Sequence, residues 1–130
     1  MVSRDTVRGI RTCNNDSSLL LFGGNGVLRI VDSQTGALQS SVVIPGDGEP
    51  NRVIMLADRL VVCDWESGVY GYSIRTGDVI WHRPDLRFVD RVDWTGERAF
   101  LAVSQLQSIV HMIDGQNGNT IWFRRDTFAG

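Results

Sequence analysis

The chain has 130 residues, 13 of them basic and 15 acidic, and a formal charge of −2 at pH 7. That length suits one domain with a real core, and its evenly scattered charges exclude a basic arm for nucleic acid or a charged tail for a membrane surface. Every basic residue is Arg, which removes the phosphate-gripping lysine of a P-loop and any Schiff-base lysine.

In chain order, the opening MVSRDTVRGIRTCNNDSS lacks the apolar stretch of a signal peptide, and no later run approaches membrane-spanning length. A cytoplasmic protein, with neither a membrane nor nucleic acid as partner, is the expectation for the chain as given. Cys13 and Cys63 are too few for a disulfide framework and lack metal-ligand spacing. A first group of strands is predicted at 7–12, 19–22, 27–32 and 37–44. The second follows at 52–56, 60–63, 69–74 and 78–83, and the third at 90–94, 99–104, 109–114 and 119–124. Short apolar runs, LLLF (19–22), LVVC (60–63) and LAVS (101–104), read as strands buried on both faces. Asn-Gly in FGGNGV (22–27) signals a tight hairpin, and Pro45, Pro50 and Pro84 all fall between groups, outside any ladder.

These groups are copies of one another. LRIVDSQTGALQS (28–40), VYGYSIRTGDVIW (69–81) and VHMIDGQNGNTIW (110–122) superpose without a gap, their turn glycines Gly36, Gly77 and Gly118 spaced 41 residues apart. Extending that register aligns LLLF, LVVC and LAVS. Labelled A to D in order, four antiparallel strands repeating every 40 or so residues predict an all-β, β-propeller-type array of about three blades. The whole chain, 1–130, reads as a single repeat domain with blade units at about 4–44, 51–83 and 88–124.

The pattern of an apolar strand, Asp or Ser, two residues, Thr/Asn-Gly, three residues and Trp resembles the quinoprotein-type repeat, the blade motif of pyrroloquinoline-quinone dehydrogenases and their non-enzymatic relatives. WD-repeat blades are a near alternative, but their Gly-His and Trp-Asp dipeptides are absent. Unit one departs by Ser40 in place of Trp, and unit two by Ser73 in place of Asp. The resemblance implies that the strand-D residues Trp81 and Trp122 pack between blades. Arg83 and Arg124, two residues beyond each Trp on the same strand face, are placed to stack on the rings. It also implies a scaffold that hosts catalysis only when site residues are added.

Such residues are not legible. FGGNG lies between strands, not ahead of a helix, so a hairpin explains it better than a phosphate cradle. DGQNGN (114–119) has a faint calcium-loop look, but aligned with DSQTGA (32–37) its Asp more simply accepts bonds from the turn backbone. PGDGEP (45–50) clusters Asp47 and Glu49 in a loop that reads as a solvated connection. His82 and His111 lack a partner at ligand or triad spacing, and no Ser sits in a Gly-x-Ser-x-Gly elbow. No catalytic residue, metal or cofactor is assigned.

One constellation invites a functional reading. Arg8, Arg52 and Arg91 recur at the start of strand A, innermost in a propeller, where they would ring a channel mouth for an anion or an acidic partner. Local ion pairs with Asp5, Glu49 and Asp90 are the simpler explanation. Because closed propellers have four or more blades, three units imply further blades, a homo-oligomer that completes a ring, or a curved monomer. The expected function is a non-catalytic protein-interaction scaffold. A fragment of a quinone-dependent oxidoreductase, or a small-ligand or carbohydrate binder using Trp65 and Trp94, are the alternatives.

Overall fold

The computed structural model describes residues 7–12, 18–23, 26–44, 50–96 and 98–125. Pro45, Asp47 and Glu49 lie outside them, as do Asp5 and Cys13. The described residues form three four-stranded sheets, each an antiparallel meander in sequence order. Sheet one comprises β1 (Val7–Thr12), β2 (Ser18–Gly23), β3 (Val27–Asp32) and β4 (Leu38–Val43). Sheet two holds β5 (Arg52–Leu56), β6 (Arg59–Asp64), β7 (Gly68–Ser73) and β8 (Val79–Arg83). Sheet three holds β9 (Arg91–Thr95), β10 (Ala99–Ser104), β11 (Ile109–Asp114) and β12 (Thr120–Arg125). The predicted strands are all present, none displaced at either end by more than one residue.

Stacking of the sheets follows from the pleat. Successive side chains of a strand point to opposite faces, and β6 sends Leu60 and Val62 into an apolar cluster with Leu20, Leu28, Ile30 and Val42 of sheet one. Its alternate residues Val61 and Cys63 join Phe100, Ala102 and Ile113 of sheet three in a second cluster. The middle sheet is therefore buried on both faces, which is why LVVC reads as an unbroken apolar run. Burial in that core pushes the Cys63 thiol up to about 12.

The C–D turn recurs three times, closed each time by the side chain at its head. Asp32 Oδ1 accepts from the amides of Gln34 and Thr35, at 2.8 and 3.0 Å. Asp114 Oδ1 accepts from Gln116 N at 2.9 Å, and Ser73 Oγ, at the same register, accepts from Thr76 N at 3.3 Å. Gly36, Gly77 and Gly118 each donate to the carbonyl four residues back at 2.8 Å. All three adopt φ between 73° and 79°, a left-handed conformation that glycine enters without strain. A bulge follows in each ladder, between Ile30/Val31, Gly71/Tyr72 and Met112/Ile113.

One predicted alignment is corrected. Leu60 pairs with Tyr72, and it is Phe100, not Leu101, that pairs with the equivalent Ile113. The β10–β11 connection spans 105–108, one residue longer than the 65–67 link of sheet two. FLAV (100–103), rather than LAVS, is the counterpart of LVVC, because a one-residue slip would turn Phe100 out of the core.

Candidate interaction surface

The junction between sheets two and three is built around Trp81, which is 8% exposed. Its indole lies over Gly71 of its own sheet, where a Cβ would fall 2.1 Å from Cε2. Beyond the ring lies the next sheet's turn: a Cβ on Gly118 would stand 2.5 Å from Trp81 Cδ2. The Phe100 ring lies near-parallel, 6.2 Å away between centroids, and Trp81 Nε1–H donates to the Gly115 carbonyl at 2.9 Å. Burying ~200 Å² of ring at about 25 cal/mol/Å² contributes roughly 5 kcal/mol before entropy is counted.

Arg83, two residues on, reaches across the same junction. Nη1 donates to the Gly118 carbonyl at 2.8 Å and to Thr120 Oγ1 at 2.9 Å, while Asp85 grips the rest of the guanidinium. That pairing holds the Asp85 carboxyl below the usual carboxylate range. The expected stacking of Arg83 on indole gives way to these bonds, which satisfy the Gly118 carbonyl of the following turn. Gln116 Nε2 adds a bond to Asp58 Oδ1 at 3.3 Å, and Arg59 Nε one to the Gln116 carbonyl at 3.3 Å. At the first junction Ser40 occupies the Trp81 position, so the Gly77 turn settles directly on strand backbone, 2.5 Å from its Cβ position to Ser41 O. Tyr72 Oη–H donates to the Val43 carbonyl there at 2.9 Å.

Trp122 holds the register of Trp81, opposite Met112 as Trp81 is opposite Gly71. It is 47% exposed. Met112 holds the register at which Gly71, lacking a side chain, leaves room for the Trp81 ring. The register puts Leu101, Val103, Val110 and Met112 on that same face, none of them fully buried. Together with Trp122 they form an apolar sheet face with no following sheet among the described residues.

Other predicted residues are dispersed. Arg52 and Arg91 share a register, opposite Cys63 and Val103, and both are exposed; Arg52 Nη1 donates to the adjacent Asn51 carbonyl at 2.8 Å. In β1 that register belongs to Gly9, and Arg8 falls at the bulge between Val7 and Gly9. Trp65 and Trp94 are each 40% exposed, on a turn of sheet two and on β9 of sheet three. Trp65 meets Phe88 edge-on at 5.3 Å, and the Arg87 guanidinium lies 4.8 Å from that same Phe88 ring. His82 stacks on Tyr70 at 3.9 Å and bonds the Ser67 carbonyl. His111 lines a cleft of about 30 Å³ with Leu86, Val89, Ala102 and Ser104, space for one or two waters. Burial, then the Arg83 charge, holds His111 below its ordinary value against the pull of Asp85. Among the described residues no group of three or more His, Cys, Asp or Glu is placed to hold a metal ion.

Solved structures share this architecture. BamB from Moraxella catarrhalis matches with TM-score 0.67 and 21% identity, over 95% of this chain and 38% of that one. The WD40 domain of Neurospora crassa Pan2 matches with TM-score 0.67 and 16% identity over 93% and 38%, and the WD40 β-propeller domain of Doa1 with TM-score 0.64 and 9% identity over 92% and 40%. The chain has the fold of consecutive β-propeller blades. It spans about two fifths of the length of each of these structures, and its three sheets form an arc, not a closed ring. No family model and no curated protein matches, so the quinoprotein-type resemblance rests on the repeats themselves. The Trp81 junction was legible from the 41-residue register. The reach of Arg83 and Gln116 into neighbouring blades was not, since nothing in one strand's sequence names its partner across an interface.

Proposed function

We propose that the chain is a non-catalytic β-propeller module that works as a protein-interaction scaffold. The observation that carries the reading is the apolar face of sheet three, where Leu101, Met112 and Trp122 stand partly exposed on a rigid stack of blades. Exposed apolar faces of this kind mark association surfaces in folded proteins. The recurring polar residues support it as well: Asp32, Ser73 and Asp114 close turns, while Arg83 and Gln116 join sheets, so they are spent on architecture instead of converging on one point.

The test is a titration of the purified chain with pyrroloquinoline quinone plus calcium, followed by absorbance and by thermal shift, with a panel of monosaccharides alongside. No saturable rise in melting temperature is expected in either arm. A saturable rise with the quinone would overturn the reading in favour of an oxidoreductase fragment; one with a sugar, abolished by Trp65→Ala or Trp94→Ala, would favour a carbohydrate binder.

A further inference from the structure

We propose that the outer edge of β12 takes up an extended peptide segment of a partner protein by strand addition, with an apolar and an acidic residue two positions apart lying against Phe123 and Arg125. This surface is separate from the apolar face on which the scaffold reading rests. β12 is the last strand of its sheet and, among the described residues, pairs with β11 alone. From Ile121 to Arg125 every residue is exposed, Ile121 at 57% and Phe123 at 61%. An unpaired strand that carries exposed apolar side chains is a template for a further strand.

The other two D strands show how such an edge is blunted. In the 41-residue register Ile121, Trp122 and Phe123 correspond to Gln39, Ser40 and Ser41 of β4, which are polar, and to Ile80, Trp81 and His82 of β8. On β8, Trp81 is sealed in its junction and His82 stacks on Tyr70. Arg125 corresponds to Pro84, which has no amide to offer a ladder. β12 carries neither device, and only charge guards it. A second β12 would bring arginines and no carboxylate to the pair, because Thr120–Arg125 contains no acid. A foreign segment with a carboxylate at the matching place complements Arg125 instead, which makes no ion pair among the described residues.

The pleat sets the spacing. Phe123 is opposite His111, stacked on its ring at 5.6 Å between centroids, and His111 is opposite Ala102 of the cluster shared with sheet two. Arg125, opposite Ile109, lies two residues on and therefore on the same face. Alternate residues of an added strand share a face too, so one lies beside Phe123 and the next beside Arg125. Backbone bonds supply the affinity and these two side chains the selectivity. Blades stack face to face around a propeller, so a blade following sheet three would cover Trp122 and leave this edge accessible.

The probe is a short capped peptide, Thr-Glu-Thr-Val-Thr-Glu-Thr, whose two glutamates suit either strand direction, titrated against the full chain by fluorescence anisotropy at low salt. Saturable binding is expected, about fivefold tighter than that of the same peptide with Lys for Glu. Arg125→Glu should reverse that preference. Phe123→Thr, which keeps a strand-forming residue, should weaken both peptides about tenfold. Ile80→Thr on β8 should change neither. Methylating alternate peptide nitrogens should abolish binding in one phase and spare it in the other, since only every second amide of an added strand faces β12. Hydrogen exchange should show protection gained within 121–125 and none within 38–43, and near-UV circular dichroism checks that each variant is folded. The assignment is overturned by absent or unsaturable binding, by equal affinity for the Glu and Lys peptides, by indifference to Phe123→Thr, or by protection at 38–43 instead. Self-association through β12 that the peptide cannot compete away overturns it in favour of pairing between copies. Failure of the peptide leaves the quinone and sugar titrations to decide the non-catalytic reading by themselves.

Discussion

At the scale of single residues, Trp81 and Trp122 share a sequence position and differ in environment. Truncating Trp81 opens a cavity and strands the Gly115 carbonyl, so Trp81→Ala should cost about 3–5 kcal/mol in urea denaturation. Trp122→Ala should cost less than about 1 kcal/mol. The turn glycines separate in the same way. Gly36→Ala meets only the backbone penalty of its positive φ, about 1 kcal/mol, whereas Gly118→Ala also drives a methyl into Trp81 and should cost about 1–3 kcal/mol more. Equal losses at the two glycines would refute the packed-turn account. Cys63 gives a pH signature. Its folded-state value of about 12 lies above the ordinary 9.0, so between those limits the unfolded chain sheds its proton first. Stability should then fall by roughly 1.4 kcal/mol per pH unit from this group. Below pH 9 the thiol is protonated in both states and adds no slope. Tyr72, likewise raised by burial to about 12 from 10.0, steepens the loss above pH 10. Urea titrations at pH 8 to 10.5 check this, Cys63→Ala flattening the first part of the curve.

At the scale of elements, the C–D hairpin is the best-determined piece of the molecule. Its Asp, Thr or Asn, and Gly each act within six residues of chain, so a local pattern sufficed to place it three times. Asp114→Ala should cost about 1 kcal/mol by freeing the Gln116 amide. Asp114→Ser should cost less, because Ser73 at that register shows that a hydroxyl can also hold a turn amide, there that of Thr76. Equilibrium unfolding of both variants ranks them. The B–C connections are less uniform. The longer link of sheet three ends on Ser108 at φ 55°, a conformation a non-glycine residue adopts at a cost. Ser108→Gly should therefore raise stability by up to about 1 kcal/mol, read from the denaturation midpoint. That extra residue is also why the ungapped alignment of LAVS failed: a constant 41-residue offset has no way to register an insertion that the hairpin absorbs.

At the scale of the whole molecule, stability is a sum over junctions between neighbouring sheets, as in other repeat arrays. Sheet two contributes to both apolar clusters, whereas sheets one and three each contribute to one. Hydrogen exchange should accordingly be slowest in β6 and β7 and fast in β12, whose side chains from Ile121 to Arg125 are all exposed. Uniform protection across the three sheets would contradict this picture. Leu60→Ala, facing sheet one, and Val61→Ala, facing sheet three, should each loosen a different junction, and exchange in the corresponding neighbour should report which.

The sequence by itself determined the strands, the hairpin turns and the number of sheets, because those depend on period-two apolar patterns and on turn chemistry confined to a few neighbouring residues. The 41-residue register also paired Trp81 with Trp122 as equivalents. Only the tertiary structure decided that one of them is sealed beneath Gly118 while the other faces outward over Met112, and that Arg83 bridges to the next blade instead of stacking on its own. Equivalence in a repeat is a property of the chain. Burial is a property of whichever sheet comes next.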